Sequence, residues 1–182
     1  MAKVFDSLDD QLVSWIESQH LFFVASAPAN GHVNLSPKGY DTFRVLDPRR
    51  VAYLDLTGSG IETVSHLREN GRLTVMFMAL DGPPQIVRLY GRGEVHPVGS
   101  EGFDALAPLF PDLPGRRAVI EAHLDRVSTS CGYSIPRFSF DGERDTLNAA
   151  MRHKSTGQLD EYHREKNSTS IDGLPGLRTP GE

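Results

Sequence analysis

The amino-acid sequence predicts a mainly β protein, an antiparallel barrel carrying helices at its periphery. Two observations lead there. Apolar runs rich in β-branched and aromatic residues recur at 21–25, 51–54, 73–78 and 86–90, each short enough to be a strand. Between them lie turn-forming clusters, Asn30-Gly31, Asp47-Pro48 and Asp81-Gly82-Pro83-Pro84, with few helical stretches to make parallel crossovers.

The elements follow from local chemistry. Leu8, Leu12, Trp15 and Ile16 recur at helical spacing with Asp9, Asp10 and Glu17 on other faces, so residues 7–19 open the chain as an amphipathic helix. Asn30-Gly31 supplies the φ > 0 positions of a tight hairpin after the run at 21–25. Its return strand enters Ser36-Pro37-Lys38-Gly39, where proline removes a ladder donor, places the segment at an edge or bulge, and frees Lys38 to face a pocket. Residues 43–46 and 51–54 form a second pair around Asp47-Pro48-Arg49-Arg50. Ser59 and Glu62 have capping-box spacing and Asn70-Gly71 supplies a stop, predicting a helix over 60–69 anchored by Val64 and Leu67. Residues 73–78 and 86–90 make a third strand pair.

Beyond Pro97 the pattern turns helical. Phe103, Leu106, Ala107 and Phe110 form one stripe, and Val119, Ile120 and Leu124 a weaker one, both expected to cover a barrel end. Residues 133–140 alternate and read as a last strand with Pro136 at an edge, and Leu147, Ala150 and Met151 predict one more short helix. The expected organisation is a barrel domain over 1–153 and a polar arm over 154–182, whose Ile171, Leu174 and Leu177 suit docking on a neighbour.

A net charge of -5 argues against a dedicated nucleic-acid binder, which needs a basic surplus to displace phosphate counterions. The lone Cys131 cannot form an intramolecular disulfide and reads as a small buried filler. Residues 1–10 lack the basic-then-apolar order of a secretory signal, and no apolar run approaches the roughly 20 residues needed to cross a bilayer. These features predict a soluble, cytoplasmic protein. The seven histidines never fall at tight metal-binding spacing with cysteine or glutamate, so no metal site is expected. His153, near Asp145, reads first as a solvated helix-end residue.

Anion binding is the chemistry the motifs suggest. Lys38 can serve as a point charge, and Thr57-Gly58-Ser59-Gly60 leads into a helix N-terminus whose unpaired N–H groups favour an anion. Taken singly, each has a plainer reading. Lys38 is then a solvated lysine, Gly58 and Gly60 are turn residues, and Ser59 with Glu62 caps its own helix. Arg88 faces outward as readily as into a pocket, and Glu62 would repel a phosphate.

The ordered set, from Asn34-Leu35-Ser36-Pro37-Lys38-Gly39 through Tyr53–Gly60 to Val87-Arg88-Leu89-Tyr90-Gly91, resembles the pyridoxamine 5'-phosphate oxidase-like split-barrel family over about 7–98. That resemblance implies an antiparallel split β-barrel that binds FMN at the interface of a homodimer and acts as an oxidoreductase on a small molecule. It places Ser36, Lys38, Thr57, Ser59, Thr63, Gln85 and Arg88 at the cofactor. Ser36 stands where the family has a phosphate-binding arginine, and Thr57 matches a strand-ending threonine. Glu62 and Thr63 replace an arginine-lysine pair, and Ile86 replaces a glutamine that neighbouring Gln85 could supply. No counterpart of the C-terminal arginine and histidine of true oxidases is found, so the resemblance points to an oxidase-related branch. That branch shares segments such as Cys131-Gly132-Tyr133-Ser134-Ile135-Pro136 and Ser170-Ile171-Asp172-Gly173-Leu174-Pro175-Gly176. Two alternatives stay open: a haem-binding or haem-degrading barrel with His96 or His123 on the iron, and a flavin carrier or deazaflavin-using protein without FMN catalysis.

Overall fold

The computed structural model describes residues 2–177. Among them, eight strands form one antiparallel sheet that curls into a split barrel. The strands are β1 (Lys3–Phe5), β2 (Phe22–Ser26), β3 (Asn34–Lys38), β4 (Phe43–Asp47), β5 (Arg50–Leu56), β6 (Arg72–Met78), β7 (Ile86–Pro97) and β8 (Arg116–Ser130). Their order is β3-β2-β6-β7-β8-β5-β4, with β1 pairing onto β8. Five helices accompany them: α1 (Asp10–Glu17), α2 (Glu62–Asn70), α3 (Glu101–Leu106), α4 (Thr146–Arg152) and α5 (Thr156–Lys166).

The two longest strands bend the sheet. Register shifts between Tyr90 and Gly91 as β7 pairs with β8, and a Cβ at Gly91 would collide with the His123 carbonyl. Glycine is what allows that bulge. The main core takes Leu12 and Ile16 from α1, Val64 and Leu67 from α2, and inward residues of the strands. A smaller cluster, Ala52, Leu54, Val119, Phe103 and Phe110, packs α3 on the opposite face of β5 and β8. Both faces of β5 are therefore covered, which explains its apolar run Val51-Ala52-Tyr53-Leu54.

Most expected elements are present with trimmed ends. α1 is capped by Asp9, which accepts from Leu12 N at 2.8 Å. The hairpin β2–β3 forms with Asn30-Gly31 inside a longer connection, and Gly71 ends α2 in the left-handed region at φ 72°. Four expectations fail. The stripe at Val119, Ile120 and Leu124 is strand, not helix, because β8 lies between β7 and β5 with both faces buried over 117–122, and apolar residues on both faces imitate helical periodicity. Residues 133–140 make no strand; Tyr133, Phe138 and Phe140 stay exposed, and Phe138 N donates to Leu80 O in irregular chain. The Ser59–Glu62 capping box is absent, since α2 begins at Glu62 with Ile61 as an N-cap that makes no side-chain bond. Cys131 is exposed rather than buried. Within the arm, Ser155 and Gln158 form a true capping box for α5, at a spacing readable in the sequence.

The arm also docks, but on its own subunit. Asn167 and Ser170 are buried, Leu177 packs against the main core, and His32 meets the Asp172 carboxylate at 2.7 Å. Positions 178–182 of the expected arm lie outside the described residues.

Candidate functional site

β3 ends the sheet order and alternates cleanly, with Asn34, Ser36 and Lys38 half-buried on one face and Leu35 and Pro37 exposed on the other. That inner face, the end of β5, the start of α2 and Arg117 of β8 enclose a cleft of about 270 Å³. Gly58, Gly60 and Thr63 also line it. A hydrogen-bonded strip runs across it: Asn34 Nδ2 donates to Ser36 Oγ at 3.2 Å and to Thr63 Oγ1 at 3.0 Å.

Beneath the strip lies a buried ion cluster. Asp55 holds Lys38 Nζ at 3.0 Å on one oxygen and Arg117 Nε at 2.6 Å on the other. Burial alone would raise the Asp55 carboxyl, but the Arg117 and Lys38 charges overcome it and hold it at about 2. Asp55 is thus ionised, and the trio carries one surplus positive charge. Tyr53, fully buried under the Lys38 ammonium at 5.6 Å from its ring centre, has its ionisation pushed well up by burial and by Asp55. Its hydroxyl lies beside Thr63 without a hydrogen bond of ordinary geometry.

A larger cavity of about 410 Å³ adjoins, sharing Pro37 and Lys38 with the cleft. Its apolar wall is Leu21, Met78, Leu80, Phe138 and Phe140, and Phe140 stacks on His20 at 3.8 Å. Tyr40 and Asp41 beside it adopt φ of 62° and 53°, a left-handed bend that is costly for residues with side chains.

The structure brings together Ser36, Lys38 and Thr63 of the seven residues singled out from sequence. Thr57 is buried behind the cleft, its hydroxyl donating to Gly115 O at 2.7 Å and meeting His163 Nε2 at 2.9 Å. Ser59 is exposed and outside the lining. Gln85 precedes β7, and Arg88 on β7 donates to Ser130 Oγ at 3.2 Å; neither lines the cleft. Asn34, Asp55 and Arg117 were missed. Asp55 had a signal, since a lone acid inside the buried run Tyr53-Leu54-Asp55-Leu56 requires a partner. Arg117 had none, because the apolar spacing of Val119, Ile120 and Leu124 beside it reads as helix and assigns Arg117 to no strand face.

Among the described residues no group of three or more His, Cys, Asp or Glu is placed to hold a metal ion, and no helix is long and apolar enough to cross a membrane. His96 is tied to Glu121 at 3.2 Å, and a Cβ on Gly102 would collide with its ring. His123 is largely exposed, with Glu121 at 3.8 Å.

A split barrel with a polar, glycine-edged cleft on its edge strand defines a class, and similarity to known proteins supplies the family. The pyridoxamine 5'-phosphate oxidase family matches residues 8–131. The pyridoxamine 5'-phosphate oxidase family protein ustO of Aspergillus flavus is 41% identical over 193 residues, spanning 96% of this chain and 78% of that protein. The chain belongs to the pyridoxamine 5'-phosphate oxidase family. HupZ of Group A Streptococcus shares the fold with a TM-score of 0.53 at 22% identity, covering 66% of this chain and 92% of HupZ. A Lactobacillus delbrueckii protein named for pyridoxamine 5'-phosphate oxidase gives a TM-score of 0.52 at 23% identity, covering 68% of this chain and 94% of its own.

Proposed function

We propose that this chain is an FMN-dependent oxidoreductase that acts on a small molecule as a homodimer. The observation that carries the reading is the cleft itself, in which an ammonium, a guanidinium, two hydroxyls and an amide converge beside a helix start that has no side-chain cap. A phosphate monoester fits that donor set. Ser36, Thr63 and Asn34 would donate to its oxygens, and Lys38, held in place by Asp55, would supply charge. Bound there, FMN would provide the redox chemistry, while the chain binds, orients and excludes water. The adjoining apolar cavity offers a wall for a flat ring and room for a small partner molecule. Among the described residues β3 presents an unpaired edge, with Leu35 61% exposed on it and Val33 75% exposed just before it, which supports a second subunit covering this side.

Titration of the flavin-free protein with FMN, FAD and riboflavin tests the reading. One FMN per subunit, bound in preference to FAD, is expected. Lys38→Ala should weaken FMN roughly ten- to hundredfold, from a charge-assisted contact of about 1.5–3 kcal/mol, and change riboflavin little. A Soret band in the purified protein, or flavin affinity no better than about millimolar on the same scale, would overturn it.

A further inference from the structure

The family match ends at residue 131, yet the contacts that shape the loop at the cleft come from residues 163–177. Asn167 is fully buried. Its Nδ2 donates to Gly58 O at 2.9 Å, and its Oδ1 accepts from Arg117 Nη1 at 3.0 Å. The same Arg117 nitrogen donates to Gly60 O at 2.8 Å. Four residues on, Ile171 N donates to Glu62 Oε1 at 3.3 Å. Glu62 also folds back over Gly60, where a Cβ would collide with its carboxylate.

These bonds share one electrostatic consequence. The groups in this loop that would repel an anion are the Gly58 carbonyl, the Gly60 carbonyl and the Glu62 carboxylate. Each is held by a donor from the C-terminal segment or from Arg117, which that segment orients. The segment is itself fastened at several points: Asp172 takes the His32 ring and backbone N–H at 2.7 and 2.8 Å, Arg68 donates to Gly176 O, and Leu177 packs against the main core. Gly31 and Gly176 permit these approaches, since a Cβ at Gly31 would meet the Asp172 carboxylate and one at Gly176 would meet the Asn167 carbonyl.

We infer that Asn167 is a positioning residue for the anion subsite, and that residues 167–177 form a clasp, in the same subunit, that sets the Gly58–Gly60 loop and Arg117 for a phosphate-bearing ligand. The identity of that ligand rests on the flavin reading; the clasp does not. Asn167 acts through Arg117 and the loop carbonyls rather than on the ligand. A negative field left by freed carbonyls would penalise a phosphate and leave a neutral ligand nearly unaffected.

The test titrates the full chain, Asn167→Ala and Asn167→Asp with FMN and with riboflavin, and follows amide hydrogen exchange over residues 58–62 without ligand. Asn167→Ala should bind FMN about tenfold or more weakly, with riboflavin changed less than about twofold, the loss of one charge-assisted contact. Asn167→Asp, which keeps the acceptor for Arg117 but loses the Gly58 bond and adds a negative charge, should also favour riboflavin. Exchange over 58–62 should quicken in both. Equal losses for the two ligands, or unchanged exchange, overturn the clasp. Should both Asn167 variants fail to fold, Asp172→Asn decides: it loosens the clasp at its His32 end, and must quicken exchange over 58–62 for the inference to stand. If the unaltered protein binds neither flavin, the FMN reading falls, and the clasp is judged on exchange alone.

Discussion

Asp55 and Glu121 sit on the same strand pair, Asp55 opposite Ala118 and Glu121 opposite Ala52, and each gathers basic side chains. Asp55 meets Lys38 at 3.0 Å and Arg117 at 2.6 Å; Glu121 meets Arg50 at 2.6 Å and His96 at 3.2 Å. The surroundings differ. The Lys38 and Arg117 side chains are 19% and 7% exposed, whereas that of Arg50 is 42% exposed. Around Asp55 lie a glycine loop, a helix start and a cleft, while Glu121 is surrounded by paired strands and lines neither the cleft nor the adjoining cavity. Burial opposes ionisation of both acids, and their cationic partners win in both. The same charge recipe therefore makes a cluster that reaches solvent through Arg50 in one place and a candidate binding site in the other. What separates them is adjoining space bordered by donors that have capacity left.

The sharpest way to break this contrast is to neutralise each acid. Asp55→Asn leaves two nearly buried cations without their counter-charge and should cost about 3–5 kcal/mol, lowering the melting temperature on the order of 10 °C. Comparable melting of the variant and the unaltered protein would show that the buried trio is not what holds β3 against β5 and β8.

Acid unfolding sharpens the comparison next. The Asp55 carboxyl is held at about 2 in the fold against an ordinary 3.8, so the unfolded chain takes up its proton first. Its contribution, about 2 kcal/mol, is fully present above the ordinary value and is lost as pH falls from about 4 towards 2. His66 and His163 are also lowered, chiefly by burial, so a gentler loss should begin below their ordinary 6.5. Denaturant midpoints measured from pH 7 to pH 2.5 should show both phases, and in Asp55→Asn the steeper one should shrink to the part that Glu121 and Asp172, also lowered, contribute. An undiminished acid phase there would assign it to those acids.

Glu121→Gln gives the smallest expected effect. With Arg50 free to rehydrate, the change should cost about 1 kcal/mol and leave flavin affinity unaltered. A loss matching that of Asp55→Asn would erase the distinction between the two clusters.

Local chemistry was enough to reveal much of the barrel. Alternation in 73–78, the proline at 37, the stop at Asn70-Gly71 and the turn at 81–84 act within a few residues, and each element they predict is present. Lys38 was readable from its own segment, because Pro37 breaks the ladder beside it, whereas Ser36 and Thr63 were indicated only by the family resemblance. β8 was not readable in that way. Its apolar residues serve two faces at once, and periodicity cannot distinguish a doubly covered strand from a helix.

Tertiary structure alone decided what completes the cleft. Asp55 and Arg117 are 62 positions apart, and Arg117 and Asn167 are 50 apart. No spacing rule links them; they meet because β8 packs beside β5 and the chain returns over the start of α2. The same return overrode the capping box that Ser59 and Glu62 spell out. Arg117 and Asn167 take the Gly58 and Gly60 carbonyls, and Ile171 takes the Glu62 side chain. A local cap offers about 1 kcal/mol, and several buried bonds made at once outweigh it. Short-range patterns fix which segments become strands and helices, but partners for buried charges are chosen by whichever distant segments the packing brings within reach.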